Sequence, residues 1–167
     1  MTSYYTDVVI SPAIPLADMT PLERLYLSTA FEEEIPEAGG LASYGAPENG
    51  IANFGIVGRA DLAAAIAQSR ALDCGLVSIF EGILEAAAEA EEIEFDLDDL
   101  DTQYTLVLQA IVRRSANIDR FIVYHAFSCG KLRMNGFGGA VDLIEADRIE
   151  SWSTDEQVRQ WLEPAAA

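Results

Sequence analysis

Basic side chains are scarce in this sequence of 167 residues, which has ten Lys and Arg against 28 Asp and Glu and a net charge of −18. It also has one histidine and no apolar stretch near the roughly 18 residues of a membrane span. A surface of this sign repels nucleic acid and anionic lipid headgroups. We therefore expect no direct binding to nucleic acid or membrane, and an attraction for basic proteins or cations.

Cysteine is also rare, and its positions bear on the cellular compartment. Cys74 and Cys129 lie far apart and belong to no Cys-x-x-Cys or Cys/His ligand spacing. We interpret both as buried small residues of a reduced compartment. The first residues, from Met1 to Tyr5, show no basic region followed by an apolar stretch. The sequence thus predicts a soluble cytoplasmic protein.

What the sequence does contain is apolar residues, at 50% of the total, enough for one core. Length favours a single domain over residues 1–167. Thr20, Pro21 and Glu23 form a helix start with a capping box, and Ser153 and Glu156 form a second one. Further helices are predicted over about 61–70, 76–90 and 102–115, the last with Arg113 and Arg114 near the negative end of its dipole.

The strand predictions come from alternation and from apolar runs. Leu41 to Tyr44 and Ile51 to Val57 flank a Pro-Glu-Asn-Gly turn and predict a hairpin. Tyr5 to Ile10 is expected to be an edge strand, and the unbroken run from Phe121 to Phe127 a central strand covered on both faces. The Asn135-Gly136 turn then leads into a strand from Ala140 to Ile144.

The order of these elements predicts the fold class. Residues 21–70 and 102–163 each read as helix, strand, strand, helix, so the chain could hold two related halves. Sequential strand pairs flanked by helices favour an α+β fold, with a mostly antiparallel sheet and helices packed on it.

The negative charge is concentrated in one part of the chain. Residues 1–100 hold 19 acids against three Arg, a net of −16, while residues 101–167 hold 9 acids against 7 Lys and Arg, a net of −2. Residues 81–101 contain 10 acids and no basic residue. The predicted helix would carry acids four apart on one face, and the strand after it would alternate buried and acidic positions. The predicted partner-binding residues are Glu81, Glu85, Glu89, Glu92, Glu94, Asp96, Asp98 and Asp99.

Three interpretations of this acidic segment stay open. The first is a contact surface for a basic protein partner in a non-catalytic protein. The second is a solvated face that keeps the protein soluble. The third is DNA mimicry, in which carboxylates occupy the cationic groove of a DNA-binding protein. Mimicry would require the acids at 32–37 to join those at 81–101 in one continuous surface.

A basic cluster in the second half offers another partner. Its members can pair within the chain or with the acidic face of another copy, which would give a homodimer. The five cations are Arg113, Arg114, Arg120, Lys131 and Arg133.

An enzyme is the alternative from a different class. His125 and Cys129 would share one strand face, and a Cys-His pair is a known nucleophilic device. Such a pair needs an orienting group and an oxyanion site, and the sequence nearby supplies neither. Residues 96–107 lack the glycine and glutamate of an EF-hand, and Gly136, Gly138 and Gly139 match no dinucleotide or phosphate loop. We predict no catalytic residues, no cofactor and no specific metal site.

Several short segments occur together in a characteristic order: Arg113-Arg114-Ser115, Phe127-Ser128-Cys129, Asn135-Gly136-Phe137-Gly138-Gly139 and Ser153-Thr154. This order resembles small bacterial proteins of uncharacterised function that are often plasmid-borne. The likeness covers about residues 100–163 and, more weakly, 5–31, and departs at Met134, where those proteins tend to have a proline. The resemblance implies a mobile-element context and no particular chemistry.

Overall fold

A computed structural model describes residues 4–35, 40–46, 53–129 and 137–162. The strands are β1 (Tyr4–Ser11), β2 (Ile14–Pro15), β3 (Glu32–Glu34), β4 (Leu41–Ala46), β5 (Phe54–Gly58), β6 (Glu92–Asp96), β7 (Arg120–Cys129), β8 (Phe137–Glu145) and β9 (Ile149–Ser153). The helices are α1 (Pro21–Ala30), α2 (Arg59–Arg70), α3 (Val77–Ala86), α4 (Tyr104–Arg114) and α5 (Thr154–Leu162). The predicted α+β class is confirmed.

Seven strands form one sheet, and every pairing in it is antiparallel. The strand order is β2-β4-β1-β7-β8-β9, and β3 also pairs with β4. The strands β7, β8 and β9 form a meander, while β1 lies between β4 and β7. The prediction of β1 as an edge strand is therefore wrong, because it pairs with β7 on one side and with β4 on the other.

The helices α1 and α4 cover one face of this sheet, here called the inner face. Their buried residues, such as Leu22 and Leu108, join Val8, Phe121 and Ile144 of the strands in one hydrophobic cluster. The opposite, outer face exposes Tyr124 in the middle of β7. The expectation that the strand at 121–127 is covered on both faces is wrong, because these helices lie on one side only.

The strands β5 and β6 form a separate two-stranded ribbon. The predicted hairpin between residues 41–44 and 51–57 is wrong, because β4 pairs within the large sheet and β5 pairs with β6. The Pro-Glu-Asn-Gly turn lies outside the described residues, as does Asn135-Gly136. The two halves also differ in their pairing, so the suspected internal repeat is not a structural repeat.

Glycine at position 55 is required by the packing of this ribbon. A Cβ at Gly55 would lie 2.4 Å from the ring of Phe95, which faces it across the pair. That ring meets Phe80 of α3 edge-on, with 5.4 Å between centroids. The inner side of the ribbon is thereby fixed to α3, and its other side is left to solvent.

The predicted capping boxes are both present. In α1 the backbone N–H of Thr20 donates to Glu23 Oε2 at 2.8 Å, and the N–H of Glu23 donates to Thr20 Oγ1 at 3.3 Å. Ser153 and Glu156 make the equivalent bonds at the start of α5. Local sequence is sufficient for both because each box is closed within four residues.

Glu23 also takes part in a long-range interaction that the capping motif does not reveal. Its side chain is 1% exposed, and Arg114 Nη2 of α4 donates to its Oε2 at 2.5 Å. The sequence predicts that both arginines in the last turn of α4 interact with the helix dipole. Arg114 also joins α4 to α1 through a buried carboxylate.

We expect Arg114→Met to lower the free energy of unfolding by about 3 kcal/mol, because it leaves the Glu23 carboxylate buried without its cation. Arg120→Met is the control, since Arg120 is 55% exposed and lies 4.0 Å from Glu145. An exposed pair of this kind contributes less than about 1 kcal/mol. Denaturant unfolding of the two variants and the wild type measures the difference. Equal losses in both variants would show that Arg114 is only a surface charge.

Candidate functional site

The predicted partner-binding residues divide between three elements. Glu81 and Glu85 lie on α3, which ends at Ala86. The prediction that this helix continues to Ala90 is wrong, and Glu89 stands in the following turn, beside Ala88 with its φ of 49°. The expected row of three glutamates on one helix face is therefore reduced to two, and Glu81 forms an ion pair with Arg70.

The strand β6 carries the next acids in the predicted manner. Ile93 and Phe95 are buried, whereas Glu92, Glu94 and Asp96 are exposed. Side chains at alternate positions of a strand share one face and lie about 7 Å apart. Three carboxylates are therefore presented in a row.

Strand β5 contributes two exposed apolar side chains that the sequence analysis did not single out. Phe54 and Ile56 are each 57% exposed, and the register pairs them with Asp96 and Glu94. Directly opposed residues of an antiparallel pair have Cβ atoms about 5 Å apart. The exposed side of the β5–β6 pair, with Phe54, Ile56, Glu92, Glu94 and Asp96, is called the acidic ribbon below. The alternation of Phe54 and Ile56 along the predicted strand was the sequence signal for this apolar pair. Their acidic neighbours were not predicted, because the strand was expected to pair with residues 41–44 and not with β6.

An open cleft lies next to the end of the acidic ribbon. Its volume is about 650 Å³, and its lining includes Asn53, Asp98, Asp101 and Leu106. Asn53 Nδ2 donates to Asp98 Oδ2 at 2.6 Å, which holds the turn after β6 against the start of β5. Asp98 and Asp99 are both exposed in this turn. Asp98 and Asp101 therefore border a concave surface at the end of the ribbon.

The other acidic segment lies elsewhere in the fold. Glu32 and Glu34 are exposed on β3, the strand at one edge of the large sheet, whereas the ribbon is a separate sheet. Glu33 is engaged by Arg24, which donates to it from Nε and Nη2 at 2.9 Å. These bonds from Arg24, with burial opposing them, hold the pKa of Glu33 below its ordinary value.

The basic cluster is largely occupied within the chain. Arg113 Nε donates to the carbonyl of Ala146 at 2.6 Å, Arg114 pairs with Glu23, and Arg120 lies near Glu145. Lys131 and Arg133 lie outside the described residues. A dimer built through Arg113 and Arg114 has little support from these contacts.

His125 lies on the inner face of β7 in a polar cluster with Tyr104 and Asp142. Its Nε2 is 3.0 Å from Asp142 Oδ2, and Tyr104 donates to the same oxygen at 2.8 Å. Ser151 donates to the other oxygen, Oδ1, at 2.6 Å. The side chains of His125 and Asp142 are 12% and 11% exposed. The sequence signal for this cluster was Asp142, the one acid within the apolar run Ala140–Ile144. Its partners could not be predicted, because they come from three separate elements.

The protonation of this cluster follows from its contacts. Burial acts to raise the pKa of Asp142, but the hydrogen bonds from Ser151, Tyr104 and His125 outweigh it, and the pKa lies below its ordinary value. Burial, together with the bond to Asp142, raises the pKa of the Tyr104 hydroxyl. The carboxylate is therefore the charged acceptor, and the phenol remains a donor.

The geometry does not bring Cys129 to His125. Four residues on a strand span about 13 Å, and Phe127 stands between them, with its ring 6.3 Å from the imidazole. Ser151 donates to the carboxylate rather than to the imidazole. A nucleophile within hydrogen-bond reach of its base is the first requirement of such catalysis. The described residues near His125 do not meet it.

Neither a metal-binding cluster nor a membrane-spanning helix is found among the described residues. No group of three or more His, Cys, Asp or Glu is arranged to hold a metal ion among them. None of their helices has the length and apolar character needed to cross a membrane. Comparison of the chain with protein-family models, curated proteins and solved structures finds no match.

We expect Asp142→Asn to lower the free energy of unfolding by about 1.5 to 3 kcal/mol at pH 7, because an amide accepts at one atom only and carries no charge. Since the pKa of Asp142 is lowered on folding, its contribution is present above the ordinary value of 3.8 and is lost as the pH falls through the folded-state pKa. The wild type and the variant should therefore converge in acid.

Denaturant unfolding at constant ionic strength over a pH series measures this convergence. Asp119→Asn is the matched control, because it removes the same charge from an exposed loop position. A difference between wild type and Asp142→Asn that stays constant down to the lowest pH would contradict an ionised, hydrogen-bonded Asp142.

Proposed function

We propose that this protein acts by protein-protein contact, with the acidic ribbon as the surface that receives a basic partner. The observation that carries the proposal is the register of β5 and β6, which sets exposed Phe54 and Ile56 directly beside exposed Asp96 and Glu94. Large apolar side chains exposed among charges are typical of interaction sites. A face that served only solubility would be expected to expose the carboxylates without them.

The partner's chemistry follows from this arrangement. The carboxylates attract Lys and Arg and accelerate encounter, while the apolar pair offers contacts that exclude water once the surfaces meet. The adjoining cleft with Asp98 and Asp101 can receive a further basic side chain. We therefore infer a partner segment that presents cations together with apolar residues.

DNA mimicry is a narrower form of this proposal, and the observations favour it less. The mimic requires one continuous acidic surface, but the acids at 32–34 and at 92–96 lie in different sheets. The apolar pair within the acidic ribbon also has no counterpart in a phosphate backbone. Mimicry stays an outcome that the experiment below can identify.

We predict that the triple variant Glu92→Gln, Glu94→Gln, Asp96→Asn loses a basic protein that the wild type captures from the lysate of its own cell at low salt. The control is Glu81→Gln, Glu85→Gln, Glu89→Gln, which removes the same charge from α3 and the following turn. High salt should release the partner from the wild type, because screening weakens exposed charge pairs. Displacement by duplex DNA would favour mimicry. Capture by both variants alike, or by none of the three proteins, would refute the proposal.

A second prediction isolates the apolar pair. Phe54→Ser with Ile56→Ser leaves every charge in place, and both side chains are more than half exposed. We expect capture to weaken at least about tenfold, since a well-placed apolar anchor is worth 1 kcal/mol or more at an interface. Leu72→Ser with Leu41→Ser is the matched control, because these leucines are similarly exposed, at 50% and 45%, and neither lines the cleft. Undiminished capture by the Phe54 and Ile56 variant would show that the carboxylates alone account for partner binding.

A further inference from the structure

The outer face of the large sheet carries an apolar row that its own helices leave open. The register places Val9, Tyr124, Val141 and Trp152 side by side on the adjacent strands β1, β7, β8 and β9. Val9 is 53% exposed, and Tyr124 and Trp152 are each 48% exposed. Three large apolar side chains are thus presented to solvent across about 15 Å of sheet.

The helix α5 lies on this same face and covers only one side of it. It packs on β8 and β9, and between it and β1 runs a trough of about 520 Å³. Tyr124 and Trp152 stand on either side of this trough. Its floor includes Ala126 and Gly139, where a Cβ on the glycine would lie 2.9 Å from the carbonyl oxygen of His125. Small residues therefore keep the trough open.

The apolar stripe of α5 is left exposed by the rest of the described residues. Val158 and Leu162, four residues apart on one helix face, are 46% and 78% exposed. An amphipathic helix at the surface of a globular protein normally turns this stripe to its own core. Here the stripe and the open half of the sheet are both without cover, and they belong to the same chain.

The dimensions of the two surfaces match. Four strands at about 4.8 Å spacing make a face about 19 Å wide, and two helices side by side occupy about 20 Å. One α5 fills half of this width, so a second helix fits on β1 and β7. The open half, on β1 and β7, is about 10 Å wide and 26 Å long, which gives about 250 Å² in projection. Even with the exposed side of α5 added, this is below the roughly 800 Å² per partner of a standard interface, so the expected dimer is a weak one.

We propose that the occupant is a second copy of this chain, in a two-fold dimer where each α5 packs between the two sheets. Each α5 keeps its contacts with β8 and β9 of its own copy. Its Val158 and Leu162 contact β1 and β7 of the other copy. A two-fold axis makes both contacts at once, as in other self-complementary interfaces.

Charge is compatible with this pairing of two acidic molecules. β7, β8, β9 and α5 come from residues 101–167, where 9 acids are opposed by 7 Lys and Arg, a net of −2, and β1 adds Asp7, which lines the trough. Repulsion between two copies is therefore weaker on this side than across the acidic ribbon. Added salt screens the rest, so the dimer should tighten as salt rises. Partner capture by the acidic ribbon should weaken under the same conditions, and the two proposals can fail separately.

The test is the mass of the full chain in solution, by sedimentation or light scattering over a wide range of concentration and at two salt levels. We expect a species of twice 18.1 kDa for the wild type. Val158→Asp with Leu162→Asp should weaken dimerisation by about 100-fold or more, because it would bury unpaired charges in the interface. Circular dichroism should be unchanged, since both positions are exposed in one copy.

Leu72→Asp with Leu106→Asp is the control, as it adds the same two charges at exposed leucines on other elements. A wild type that stays at 18.1 kDa throughout overturns the proposal, as does a dimer that withstands Val158→Asp with Leu162→Asp.

A cross-linking experiment checks the arrangement. A Val9→Cys chain and a Leu162→Cys chain, mixed and then oxidised, should form more disulfide-linked dimer than either chain alone, because the sites come together between copies. The native Cys74 and Cys129 are buried. A dimeric wild type whose mixed variants cross-link no better than each variant alone would show that the copies meet through another face.

Discussion

The ion pair between Glu23 and Arg114 holds α1 and α4 together on the inner face of the sheet. Glu23 closes its own capping box and accepts from Arg114 with the same oxygen, so the start of one helix is tied to the end of the other. Its other oxygen, Oε1, is buried without a hydrogen-bond partner among the described residues. A buried carboxylate of this kind depends strongly on its cation. The pair therefore holds the two helices together over the face against which their buried apolar residues pack, and the opposite face is left open.

From this one-sided packing come two surfaces of opposite character. The α2, α3 and ribbon layer packs against α1, away from the large sheet, and carries the acids of residues 81–96. The outer face is built from β1 and the nearly neutral second part of the chain, and it exposes apolar side chains. Salt should strengthen contacts at the outer face and weaken those at the acidic ribbon. The proposed dimer and the proposed basic partner would therefore use different sides of the molecule.

The candidate site was predictable in part. The alternation of Ile93 and Phe95 with Glu92, Glu94 and Asp96 is local, and the structure shows the expected buried and acidic faces. The apolar members Phe54 and Ile56 were not recognised, because their importance depends on a strand pairing across almost forty residues. The place of Glu89 was wrong for a local reason, since α3 ends one turn earlier than the run of helix-forming residues suggested.

The sequence by itself determined the fold class, both helix caps, most helix positions and the separation of charge along the chain. Each of these depends on residues within a few positions of one another, where backbone geometry and spacing leave few alternatives. Only the tertiary structure decided that β1 is central, that β5 pairs with β6, that His125 faces Asp142 rather than Cys129, and that one face of the sheet is open. These features depend on contacts between distant segments, and several strand pairings satisfy the same local patterns.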